Sequence, residues 1–345
     1  MKNDFEKEFS QIINEEVEIP ATVRKALDQS YDMIRTKSKK KKVNIIWKRV
    51  ATAACALLAT GVVLTNTNVM ASINEFFNFG DKGIEHAVNK GFTQENNSTV
   101  TDQAIKITLD RHFSDANKVG MSFQLVFENP SILLNAKEIS MDYRLKNGDG
   151  TYIVEFVPDT KALKGDNKYM SGAEHQNPLL DVKSGRIQYD VLFNSNNGVI
   201  PNLQGAVVEV ESVNVFYETG ELKKIDGNWD LTVANKDKQK SDMVIEYVPQ
   251  DQASIIQVSK ASANPTSLNL TFSVEGIYEN ENTFAHRMKI IDENGNDFAA
   301  DNSFSMDKKN NETIISTNFP ITSYHNAVKL KLIVEGIGEV ELLKK

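Results

Sequence analysis

Five histidines, His86, His112, His175, His286 and His325, are the first candidates for metal binding or general acid–base work. They are scattered, with no i, i+4 pair and no HExxH, so the spacing that puts two imidazoles on one helix face is missing. Solvated or partly buried strand histidines are the expectation. A serine nucleophile has no GxSxG elbow to present it, and no Walker loop follows a strand. The SxxK spacing occurs at Ser38/Lys41 and Ser305/Lys308 without the SDN and KTG segments that complete that chemistry. The acidic run Asp292-Glu293-Asn294-Gly295-Asn296-Asp297 resembles the beginning of a calcium loop. Its sixth position is Asp297, where glycine is needed, and its twelfth is Ser303, where a bidentate glutamate belongs, so a hairpin turn explains it better. Asn147-Gly148-Asp149-Gly150 reads in the same way as a tight turn and not as a phosphate cradle. Taken together, these patterns predict neither an enzyme nor a cofactor or metal site.

The elements that would position such residues follow from charge and periodicity. The chain has 345 residues, 40% hydrophobic and 25% charged, with a net charge of −8. Met1–Ile34 holds four basic and eight acidic residues, Arg35–Arg49 eight basic and none acidic, and Ala71–Lys345 27 basic against 39 acidic. An acidic major portion repels phosphates, so direct nucleic-acid binding is not expected. The single cysteine, Cys55, leaves everything from Ala71 onward without a disulfide, and core burial alone must hold it together.

Val50–Asn74 carries no charge, and residues 50–70 read as one transmembrane helix of the roughly 20 residues a span needs. The basic stretch 35–49 lies entirely on its N-terminal side, which puts the N terminus in the cytoplasm and the C-terminal domains outside the cell membrane. Trp47 and the Phe76/Phe77/Phe79 cluster read as interfacial belts of that single-pass protein, and the lysines as a contact with the lipid bilayer. The rival reading is export with cleavage after Ala71, at the small-residue ending Val69-Met70-Ala71. In segment 1–34, Phe5, Phe9, Ile12 and Ile13, and after Pro20 the set Val23, Ala26, Leu27, Tyr31 and Ile34, recur with helical spacing. Two short amphipathic helices result, too small to be stable alone, with Phe5, Phe9, Ile13, Val23, Leu27, Tyr31 and Ile34 as partner-binding residues.

Beyond residue 74, Ile84, Ala87 and Val88 between Gly83 and Gly91 predict a short helix. The period then switches to two, at Ile105/Ile107/Leu109, Val119/Met121/Phe123/Leu125/Phe127, Val208/Val210, Leu268/Leu270/Phe272/Val274 and Leu330/Leu332/Val334. Turns are expected at Asn147-Gly148, Asn197-Gly198, Asp226-Gly227 and Asn294-Gly295. The fold class expected is mainly β, with two extracellular antiparallel β-sandwich (Ig-like) domains, 71–245 and 246–345, the boundary marked by the polar stretch Asn235–Asp242 followed by Asp251-Gln252.

The run Ser72-Ile73-Asn74, Gly83-Ile84, Ala87, Gly91-Phe92 and Ser98–Thr108 resembles the start of the ectodomain in a family of Firmicute single-pass proteins, number 4179 in the domain-of-unknown-function series. The likeness is best over Lys37–Tyr143, and Ile255–Glu341, opening on Asn264-Pro265-Thr266-Ser267-Leu268, resembles the β-sandwich often found behind it. Members are commonly regarded as anti-sigma factors, so the resemblance implies a membrane anti-sigma factor whose cytoplasmic helices sequester an extracytoplasmic-function sigma factor. Met1–Arg49 holds no His and no Cys, a departure from zinc-type anti-sigma domains. The alternative is an exported surface β-sandwich protein that binds a ligand or the cell wall, its N-terminal segment serving export only.

Overall fold

The structure, a computed structural model, describes residues 76–196, 198–234, 243–250, 255–279, 284–301 and 303–345. All belong to the compact unit Val69–Lys345. Residues 1–34, 35–49 and 50–70, and with them Phe5, Phe9, Ile13, Val23, Leu27, Tyr31 and Ile34, lie outside the described residues.

One α-helix, α1 (Lys82–Asn89), precedes the strands; Asp81 caps it, and it buries Gly83, Ile84, Ala87 and Val88. Three antiparallel sheets follow. The first has the order β1-β2-β3-β7-β6, from β1 (Gln94–Asp102), β2 (Ile105–Ser114), β3 (Lys118–Phe127), β6 (Gly172–Asp181) and β7 (Arg186–Asn194). The second has the order β5-β4-β8-β9, from β4 (Ala136–Lys146), β5 (Tyr152–Phe156), β8 (Val207–Tyr217) and β9 (Leu222–Thr232). Their inward faces share one core, in which Phe123 and Tyr189 of the first sheet meet Tyr143 and Trp229 of the second. The period of two shows in β9, which alternates between the core and solvent, whereas β3, β4 and β7 are buried on both faces over most of their length.

The third sheet is continuous over nine strands, in the order β14-β13-β17-β18-β10-β11-β12-β16-β15. It runs through β10 (Ile245–Pro249), β11 (Ile256–Ala263), β12 (Leu268–Glu275), β13 (Met288–Asp292), β14 (Asp297–Ala299), β15 (Phe304–Lys309), β16 (Glu312–Phe319), β17 (Lys329–Val334) and β18 (Gly338–Lys344). Strand β10 makes the corner. Its Ile245 and Glu246 pair with β11, and Tyr247, Val248 and Pro249 pair with β18. The sheet closes on a single core that joins Leu270 and Phe272 of β12 to Leu330 and Leu332 of β17.

Two expectations are corrected. A pair of Ig-like sandwiches does not form: a five-stranded and a four-stranded sheet are stacked, and the later strands make one bent nine-stranded sheet. Alternation marks a half-buried strand, but it does not say which edges meet, and the partner exchange along β10 leaves no signature in the sequence. The membrane-anchored architecture is also corrected to what the described residues show: no helix among them is long and apolar enough to cross a membrane, and residues 50–70, read as the span, lie outside them. Phe77, expected in an aromatic belt, is buried, with its ring edge-on to Phe113 at 4.9 Å. Phe76 lies under the Arg111 guanidinium, 4.6 Å away.

Candidate functional site

The loop between β2 and β3 organises the ground around α1. Asp115 is buried; its Oδ1 accepts the amides of Asn117 and Lys118, both at 2.9 Å, and its Oδ2 accepts the amide and hydroxyl of Thr266 at 2.8 and 2.6 Å. Burial pushes its carboxyl up, against the pull of those donors. Asn117 Nδ2 donates to the carbonyl and hydroxyl of Ser267, each at 3.1 Å. Two turns 150 residues apart in sequence are thereby joined by side chains.

Lys118 is the buried cation of this ground. Its ammonium lies between Asp81 and Asp301, 2.9 Å from Asp301 Oδ2. Burial alone would lower the ammonium, but the two carboxylates outweigh it and hold Lys118 protonated. One cation shared by two carboxylates leaves the second incompletely compensated. Burial accordingly pushes Asp301 up despite Lys118, and the nearby Asp81 adds to the effect. Asp81 uses its other oxygen for the amides of Gly83 and Ile84, at 2.8 and 3.1 Å, so the cap of α1 is also a wall of the ion site.

Above this triad lies a cleft of about 470 Å³. Phe79 and Lys82 line one end, Gly172–Glu174 of β6 and Leu192 and Asn194 of β7 one wall, and Asp297–Asp301 the other. β6 and β14 are both edge strands, so two sheets border the cleft with edges that no other strand covers among the described residues. Asn194 is 7% exposed, and its buried Oδ1 has no hydrogen-bond partner among the described residues. A buried amide oxygen left without a donor costs about 1–3 kcal/mol, a demand that a bound donor would meet.

Beside the cleft, His86 of α1 and His325 meet edge-on at 4.4 Å, and each Nδ1 is 3.0 Å from Thr322 Oγ1. Burial lowers both imidazoles; on His86 the nearby His325 and Lys90 add to this, whereas on His325 the Thr322 amide and Asp292 oppose it. The histidines expected to be scattered thus include a pair separated by 239 positions, which spacing rules do not detect. The remaining candidates stay apart. Ser305 and Lys308 both lie on β15, where positions three apart point to opposite faces, and Lys308 pairs instead with Glu279 at 2.7 Å. Asp292 accepts the amides of Asn294 and Asn296 at 2.9 and 2.8 Å, making the expected hairpin turn. Among the described residues no group of three His, Cys, Asp or Glu side chains could hold a metal ion.

The fold and cleft define a β-rich protein with a pocket between two sheet edges. The family model of the domain of unknown function DUF4179 matches residues 40–126, so the chain carries that domain, of which α1 to most of β3 is described. Among solved structures, the crystal structure of the conserved domain protein from Bacillus anthracis is similar, with 17% identity, 70% of this chain and 77% of that chain covered, and a TM-score of 0.43. No curated protein matches. The anti-sigma reading called for a single-pass topology, and among the described residues no helix is long and apolar enough to support it.

Proposed function

We propose that this chain is an exported binding protein: its β-rich part takes a ligand or a wall component in the cleft, and its N-terminal segment serves export. The observation that carries the reading is Asn194, whose buried amide oxygen lacks a donor in the wall of a 470 Å³ cleft, within the size range of ligand sites. The block of eight basic residues ahead of the uncharged stretch, with Val69-Met70-Ala71 at its end, supports export. Binding without chemistry agrees with the separation of Ser305 from Lys308 across a strand and with the use of Lys118 as a structural ion partner.

The experiment is cell fractionation of the producing bacterium with N-terminal sequencing, joined to thermal-shift screening of the full chain against wall fragments and small amines. An external chain beginning after Ala71, whose melting temperature rises with a ligand and fails to rise in Asn194→Leu, is the expected result. A chain retained in the cytoplasm, or ligand shifts equal in Asn194→Leu, would overturn the reading.

A further inference from the structure

We propose that the occupant of this cleft is an extended peptide with a basic side chain, laid along the open edge of β6 as an added strand. This rests on the reading of the cleft as a binding site and specifies what it takes. Three observations converge on it. First, Gly172, Ala173 and Glu174 form the start of an edge strand whose other side is already paired to Asn194, Phe193 and Leu192 of β7. An uncovered edge offers backbone donors and acceptors in a row, which a peptide satisfies and a compact ligand does not. Ala173 and Glu174 are exposed, and Gly172 has no side chain to obstruct the approach.

Second, among the described residues no donor meets the buried Oδ1 of Asn194 on β7, one strand in from the edge, and a side-chain ammonium reaching over Gly172 supplies one where a carboxylate or phosphate cannot. Third, the lining is acidic. Asp81, Glu174, Asp297 and Asp301 face Lys82; Asp81 and Asp301 share Lys118 and Asp297 pairs with Lys289 at 3.2 Å, which leaves Glu174 as the lining carboxylate without an ion pair among the described residues. Glu174 stands on the edge strand itself, so a cation carried by an added strand meets it without leaving the pairing register. Apolar contact comes from the half-buried Phe298, which gives the stem of a lysine or arginine a surface to lie on.

The test uses the full chain and a capped Ala-Lys-Ala-Lys-Ala peptide in calorimetric titration. Its comparators are the same peptide N-methylated at alternate amides, the Ala-Glu-Ala-Glu-Ala analogue, and free lysine. The lysine peptide is expected to bind at least tenfold more tightly than each comparator, and Glu174→Lys to weaken it at least tenfold with the melting temperature of the free protein unchanged. Amide resonances of Gly172–Glu174 should shift on titration and gain protection from exchange. If N-methylation has no effect, or free lysine binds as well as the peptide, strand addition is overturned while the cleft remains a binding site for a small cation. If no peptide binds but wall fragments still give an Asn194-dependent thermal shift, the peptide proposal falls and the binding reading stands. If neither binds, both fall.

Discussion

At the scale of single residues, the buried charges around α1 admit direct tests. Lys118→Met keeps the volume of the side chain but leaves Asp81 and Asp301 facing each other without their shared cation. Removing one partner of a buried ionic cluster costs about 3–5 kcal/mol, so the urea midpoint should fall accordingly. A loss under about 1 kcal/mol would mean that water screens the site. His112 gives a pH dependence with a defined sign. It is buried, its Nδ1 has no partner among the described residues, and burial lowers its pKa from 6.5 to about 4. The folded state therefore requires the neutral ring. Its contribution is fully present above pH 6.5 and is lost as pH falls from 6.5 toward 4, by up to about 3 kcal/mol over the window. His86 and His325, also lowered, titrate in the same direction. In His112→Gln, stability should fall less steeply between pH 6.5 and 4 than in the parent, as measured by urea unfolding at several pH values. Equal slopes would show that the ring protonates freely in the folded chain.

At the scale of elements, close approach explains what sequence patterns left out. A Cβ on Gly83 would lie 2.2 Å from the carbonyl oxygen of Thr266, a backbone atom that cannot rotate away. Gly83→Ala should therefore lift α1 from the turn at residues 264–267 and cost about 1–3 kcal/mol. Limited proteolysis after Lys82 or Lys90 should become at least several-fold faster, and an unchanged rate would show that the turn gives way instead. The helix itself was legible, because Ile84, Ala87 and Val88 are spaced for one face and all three are buried. So were individual strands, as in β3, where Val119, Met121, Phe123, Leu125 and Phe127 are all buried. Turns were less so. Asp226-Gly227, which reads as a hairpin signal, lies inside β9, where Gly227 makes room for the ring of Trp229; a Cβ there would be 2.3 Å from Trp229 Cη2. Conversely, β1 and β2 turn through Gln103 and Ala104, both at positive φ, a pair that announces nothing in sequence. Local patterns record which face of an element is apolar, whereas the cleft depends on β6, β14 and the residue 115–118 loop coming together, and nothing local encodes that.

At the scale of the whole molecule, two apolar cores meet across a polar seam. Phe123 anchors one and Phe272 the other, both fully buried, and each should cost about 3–5 kcal/mol on truncation to Ala. Between them run Asp115 to Thr266, Asn117 to Ser267, and Asn318, whose amide nitrogen donates to the Ser195 carbonyl at 3.2 Å and to Asn196 Oδ1 at 2.8 Å. Such groups couple strongly when every partner is present and penalise the fold when one is missing. Asp115→Ala strands the Thr266 amide and hydroxyl and the Lys118 amide while leaving both cores intact. The parent chain should lose exchange protection at residues 119–127 and 268–275 at the same urea concentration, as one cooperative unit does. In Asp115→Ala the two should separate, with 268–275 opening at lower urea because the second core buries fewer large side chains among the described residues. Hydrogen-exchange mass spectrometry across a urea series decides it. If the variant still opens both segments together, Asp115 is not what couples the halves, and the bonds of Asn117 and Asn318 with the ion triad of Lys118 carry the link.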